Sequence, residues 1–132
     1  MKYVVILLLL CVAVVAWAAA RKGGNEKFPS LEVEDFEAYL LHHENAIVLD
    51  VRTKAEYDDG HLIGAKLIDV NSSDFMVEAL RTLPQDRPIA VYCRSGRRSA
   101  KAADMLVEAG WRVVNLKGGY MAWTAKEKPV EK

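Results

Sequence analysis

Four short apolar runs, AIVLDV (46–51), AKLIDV (65–70), IAVYC (89–93) and WRVVNL (111–116), constrain this chain more than any other feature. They are rich in β-branched residues and too short for ordinary helices. IAVYC has no charged residue at all, so a strand built from it needs cover on both faces. Stretches of helical periodicity lie between the runs. Val33, Phe36 and Leu40 recur at i, i+3 and i+7 ahead of HHEN, TKAEYDDG reads as a short helix stopped by Gly60, and Ser73 to Leu83 keeps helical spacing until PQDRP breaks it. Ala100, Ala103, Leu106 and Val107 form one helical face that Gly110 terminates, and GGYMAW opens a last short helix. Strands alternating with helices predict an α/β domain whose parallel sheet is covered on both sides. Ligands of such folds bind beyond the carboxyl ends of the strands, and Asp50 and Cys93 fall at two of those ends.

The N-terminus is a separate matter. Tyr3 to Ala20 carries no charge, with Lys2 before it and Arg21 and Lys22 behind. As a helix it would rise about 27 Å, close to the ~30 Å hydrocarbon core of a bilayer. Ala16, Ala18 and Ala20 also supply the A-x-A pattern that a signal peptidase cuts. Residues 1–20 are therefore expected to be a signal peptide or a transmembrane anchor. Either puts the protein in the cell envelope, exported after cleavage or held at the membrane through residues 3–20. Residues 21–30, RKGGNEKFPS, read as a linker, 31–126 as the folded domain and 127–132 as a frayed tail.

The 18 Lys and Arg residues balance 18 Asp and Glu residues, so bulk electrostatics give no support to nucleic-acid binding. Cys11 lies in the apolar segment, which leaves Cys93 as the only thiol of the domain; no disulfide, C-x-x-C pair or zinc cluster can form inside it.

Positive charge gathers around that thiol, in VYCRSGRRSAKAADML (91–106). A strand ending at Cys93 and a helix starting near Arg97 leave a tight connection containing Gly96. The successive N–H groups of such a turn, with the helix N-terminus, make a concave anion site. These donors, the helix dipole and the guanidinium groups favour thiolate over thiol, so Cys93 is expected to titrate below the usual value of about 8.5. Cys93 is a candidate nucleophile and Arg94, Arg97 and Arg98 are candidate anion recruiters, at least one of them expected to face solvent.

With its surroundings, this loop resembles the rhodanese family. VLDVRTKAEYDDGHLIGA (48–65) is similar to the family's D-V-R turn, E-[FY] and G-H-[IL]-x-G-A signature, the loop and helix to its active site, and VVNLKGGYMAW (113–123) to its G-G-x-x-x-W element. The resemblance implies a three-layer α/β/α rhodanese-like domain with a five-stranded, mainly parallel sheet. It also implies sulfurtransferase activity through a Cys93 persulfide, with no cofactor and no metal. Sulfane sulfur would come from thiosulfate or a persulfide donor and pass to a thiol acceptor, small molecule or protein. The backbone N–H groups of Arg94, Ser95, Gly96, Arg97, Arg98 and Ser99 would hold the terminal sulfur, while Arg94 and Arg97 attract the dianionic donor. Sulfite leaves as a stable anion, so no general acid is demanded, in keeping with a loop that has no histidine.

The remaining motif residues are expected to support the site. Asp50 and Arg52 would pair with loop groups and fix the architecture, and the resemblance implies scaffold positions for Glu56 and His61. His42 and His43 fit a helix end, Trp111, Tyr120 and Trp123 the core or pocket wall, and Gly118 and Gly119 a close backbone approach. Phosphatases of the C-x5-R type place an arginine six positions after cysteine, where this chain has Ser99; Arg98 falls one residue early, which argues against phosphatase or arsenate reductase chemistry. A noncatalytic interaction or regulatory module is the alternative from another class. Loss of the cysteine would favour it, and Cys93 is present.

Overall fold

The computed structural model describes residues 27–132. The apolar segment expected to be an anchor or signal, and the linker as far as Glu26, lie outside the described residues. In chain order the elements are β1 (Ser30–Leu31), α1 (Val33–His42), β2 (Ile47–Asp50), α2 (Lys54–Asp58), β3 (His61–Leu62), β4 (Lys66–Leu67), α3 (Phe75–Thr82), β5 (Ile89–Tyr92), α4 (Arg97–Glu108), β6 (Val113–Leu116), α5 (Gly119–Ala125) and β7 (Val130–Glu131). Five strands form one sheet in the order β1-β6-β5-β2-β4, and every pairing in it is parallel. Among the described residues no helix is long and apolar enough to cross a membrane.

The alternation of side chains along each strand divides the interior into two cores. Leu49, Val51, Ile89, Val91 and Val113 face α3 and α4, where Phe75, Ala79, Ala102, Ala103 and Leu106 meet them. Ala90, Tyr92, Val114 and Leu116 face the other way, onto Val33 and Phe36 of α1 and Trp123 of α5. The central strand β5 and its neighbour β6 are buried at every residue, as strands covered on both faces require. The result is an α/β sheet flanked by helices, the architecture expected, with the parallel pairing complete.

Three local readings change. Ser30, assigned to the linker, belongs to the sheet edge: it pairs with Asn115, the Asn115 N–H donates to the Pro29 carbonyl at 2.9 Å, and Phe28 is buried in the core. AKLIDV contributes only two ladder residues, Lys66 and Leu67. The tail expected to fray is instead docked. Val130 and Glu131 pair antiparallel with Leu62 and His61, the Trp123 indole donates to the Pro129 carbonyl at 2.9 Å, and the Gly64 N–H donates to the Glu131 carboxylate at 2.8 Å.

Candidate active site

Cys93 directly follows β5, and the chain turns through Arg94, Ser95 and Gly96 before α4 begins at Arg97. Gly96 makes this turn possible: its φ of +102° is one that side chains other than hydrogen rarely tolerate. In that conformation its N–H donates to Cys93 Sγ at 3.1 Å, and the buried Ser99 hydroxyl donates to the same sulfur at 3.4 Å. Cys93 is itself buried. Burial pushes its thiol up, but the Ser99 hydroxyl and the backbone N–H groups of Ser99, Gly96 and Ser95 outweigh it, so the thiol titrates below its ordinary range.

The loop is held from behind by α5. The Tyr120 N–H donates to the Cys93 carbonyl at 2.8 Å and the Met121 N–H to the Arg94 carbonyl at 3.0 Å. This contact needs glycine at 119, where a Cβ would lie 2.5 Å from the Cys93 carbonyl oxygen and 2.6 Å from Arg94 backbone atoms. The close approach expected of the Gly-Gly pair is thus an approach to the cysteine's own backbone.

The three arginines do not act as a group. Arg98 turns away from the turn onto Glu56, with its two terminal nitrogens 2.8 and 2.9 Å from the two carboxylate oxygens. Glu56 also caps α2, in a reciprocal box with Thr53. The Arg98 guanidinium, against the opposing effect of burial, holds the Glu56 carboxyl down at about 2. Arg98, grouped in the sequence with the anion recruiters, is therefore tied to the scaffold. Arg94 and Arg97 are exposed, and among the described residues neither enters a salt bridge.

Asp50 and Arg52 pair with each other rather than with the cysteine loop. Arg52 donates through Nε and a terminal nitrogen to Asp50 at 2.7–3.1 Å and to the Gly60 carbonyl at 2.6 Å, and both residues are buried. The Tyr92 hydroxyl donates to Asp50 at 2.6 Å and accepts from the Leu62 N–H at 3.1 Å. Burial and the Asp50 charge push the Tyr92 phenol far up. Tyr120 lies over the Arg52 guanidinium at 4.2 Å, closing that side as a wall residue. His61 stacks on Tyr57, donates through Nδ1 to the Tyr57 carbonyl at 2.8 Å and turns Nε2 toward Glu131 at 3.4 Å. His43 makes the equivalent bond to Tyr39 at 2.9 Å, while Trp111 and Trp123 are buried. Among the described residues no three His, Cys, Asp or Glu side chains gather as a metal site.

Beside the loop opens a pocket of about 430 Å³, lined by Ser30, Ser95, Gly96, Arg97, Asn115 and Lys117 among others. Ser30, Asn115 and Lys117 were not singled out in the sequence, although the last two lie in the quoted VVNLKGGYMAW stretch. The one signal available was the polar Asn115 inside the otherwise apolar end of WRVVNL.

A single buried sulfur, ringed by donors and flanked by unpaired cations, is suited to nucleophilic attack on an anionic sulfur compound. The family model for the rhodanese-like domain matches residues 32–126. A protein of Allochromatium vinosum described as a sulfurtransferase is 32% identical over 101 residues, covering 76% of this chain and 92% of that one. The thiosulfate sulfurtransferase GlpE of Pseudomonas fluorescens is 38% identical over 88 residues, covering 65% of this chain and 77% of that one. Among solved structures, a rhodanese-related protein from Thermoplasma volcanium superimposes with a TM-score of 0.69 at 29% identity, covering 79% of this chain and 98% of that one.

Proposed function

Because the chain belongs to the rhodanese-like domain family, we propose that it is a sulfurtransferase of the thiosulfate sulfurtransferase type, with Cys93 as the sulfur carrier. The observation that carries the reading is the convergence of the Gly96 N–H and the Ser99 hydroxyl on the Cys93 sulfur. The relative GlpE, named a thiosulfate sulfurtransferase, supports the choice of donor.

The chemistry then runs in two displacements. The Cys93 thiolate attacks the outer sulfur of thiosulfate; the new S–S bond forms as the old one breaks, and its electron pair leaves with sulfite. The outer sulfur of the persulfide carries negative charge and sits where the loop donors can stabilise it. An acceptor thiolate attacks that outer sulfur and returns Cys93 as thiolate. Exposed Arg94 and Arg97 draw the dianionic donor to the mouth.

Mass spectrometry after thiosulfate treatment tests the proposal. The expected result is an adduct of about 32 Da, one sulfur atom, that is absent in Cys93→Ser. A wild-type protein that stays unmodified would reject catalysis and favour a noncatalytic binding module.

A further inference from the structure

We propose that the C-terminal segment, residues 128–131, positions Cys93 without touching it, by holding the far end of the helix α5 whose first turn grips the cysteine loop. The proposal rests on the sulfurtransferase reading only for its bearing on catalysis.

The link begins at the loop. A trans peptide is planar, with its carbonyl and its N–H on opposite edges, so gripping one aims the other. The Met121 N–H grips the Arg94 carbonyl at 3.0 Å, and the other edge of that peptide is the Ser95 N–H, one of the donors that favour the Cys93 thiolate. The Tyr120 N–H grips the Cys93 carbonyl at 2.8 Å and fixes the preceding peptide in the same way. Both donors stand in the first turn of α5, where N–H groups have no acceptor within their own helix. The position of α5 therefore sets the aim of the donors around the sulfur.

α5 does not hold that position by itself. It has seven residues, whereas an isolated helix is marginal below roughly 12–15, so its hold is tertiary. The chain after it doubles back at once. The Glu127 N–H donates to the Thr124 carbonyl at 2.9 Å and the Lys128 N–H to the Trp123 carbonyl at 3.2 Å, with Glu127 at a φ of +55°, the left-handed reversal that ends many helices. The Pro129 carbonyl then accepts the Trp123 indole N–H at 2.9 Å, and Trp123 is 4% exposed. Two further ties keep the segment in place: Lys128 pairs with Glu37 of α1 at 2.9 Å, and the Glu131 carboxylate accepts the Gly64 N–H at 2.8 Å.

Without Pro129 the indole N–H becomes a buried donor with no acceptor, which is a costly state. Trp123 relaxes toward water, and a rigid helix this short carries the movement to Tyr120 and Met121. Their grip on the two carbonyls loosens, the Ser95 and Gly96 N–H groups lose their aim, and the thiolate loses part of its stabilisation.

The test follows iodoacetamide alkylation of Cys93 against pH in the full chain, by mass spectrometry of the peptide that carries it, which separates it from Cys11. Removing residues 129–132 should raise the midpoint by about half a pH unit, a roughly three-fold loss of thiolate below it. Below that midpoint kcat/KM for thiosulfate should fall by about the same factor. Trp123→Phe, which keeps an aromatic ring but lacks the indole N–H, should raise the midpoint as well. In both variants the Tyr120 and Met121 amides should exchange with solvent about ten-fold faster than in wild type. Ile47→Val loosens the core at the start of β2, where Ile47 pairs with Ile89, and should leave the midpoint in place. An unchanged midpoint in the tail variants would overturn the proposal, and so would an equal rise in Ile47→Val. If the shortened chain does not fold, Trp123→Phe decides by the same criteria. Alkylation needs no sulfur donor: if thiosulfate loads no sulfur on Cys93 the sulfurtransferase reading fails, and the midpoint still decides the positioning.

Discussion

Asp50 and Cys93 end or follow adjacent strands, are both buried, and are treated in opposite ways. Around Asp50 the charge is answered from within: Arg52 supplies the countercharge, Tyr92 and the Arg52 N–H complete the carboxylate, and the terminal nitrogen that donates to Asp50 also reaches the Gly60 carbonyl. Around Cys93 there are donors but no buried cation. Arg98 is committed to Glu56, and Arg94 and Arg97 stand in solvent. A closed network fixes architecture; a set of donors without a countercharge leaves room for a visiting anion. The difference fits structural work at the first site and, on the proposed function, chemistry at the second.

The comparison breaks most visibly at Asp50. Asp50→Ala leaves the Arg52 guanidinium buried without its carboxylate and should cost about 3–5 kcal/mol in urea unfolding. Cys93→Ser, in the same measurement, should stay within about 1 kcal/mol of wild type. Similar losses at both positions would mean that the cysteine loop is as much a structural element as the ion pair.

The next effect lies at the loop mouth. Replacing Arg94 and Arg97 together by Ala should lower kcat/KM for thiosulfate about ten-fold at low salt, with less effect on an uncharged persulfide donor. Equal losses for both donors would show that the arginines act on the thiolate or the loop rather than on donor charge.

The smallest effect concerns the latch between the two regions. Glu56 is held at about 2 against an ordinary value of 4.5. A depressed carboxyl contributes stability that is complete above its unfolded value and fades as pH falls toward its folded value. The Tm advantage of wild type over Glu56→Gln should therefore be constant above about pH 5 and shrink between 4.5 and 2. An advantage independent of pH would mean that the capping box, rather than the Arg98 pair, is what Glu56 provides.

The central sheet was legible because Ile47–Asp50, Ile89–Tyr92 and Val113–Leu116 are dense in apolar, β-branched residues with helical patterns between them. The two-residue strands β1, β3 and β7 were not, since no periodicity exists over so short a span and their pairing is set by distant partners. Nothing in KEKPVEK announces that Val130 and Glu131 will find Leu62 and His61. At the site, Cys93 and Gly96 could be read from local turn chemistry. The fate of Arg98 could not, because Glu56 is 42 positions away and only the fold brings it near. Asn115 and Ser30 meet across 85 positions for the same reason.

Gly119 also bears on how such a protein can diversify. Any side chain there would collide with the Cys93 carbonyl, so the helix behind the loop cannot be remodelled without moving Cys93. Variation that keeps the chemistry is channelled instead to positions whose side chains point away from that packing. Arg94, Ser95, Arg97 and Lys117 are exposed around the mouth. The molecule separates a part that selection must hold still from a rim on which new specificities can be tried at little structural risk.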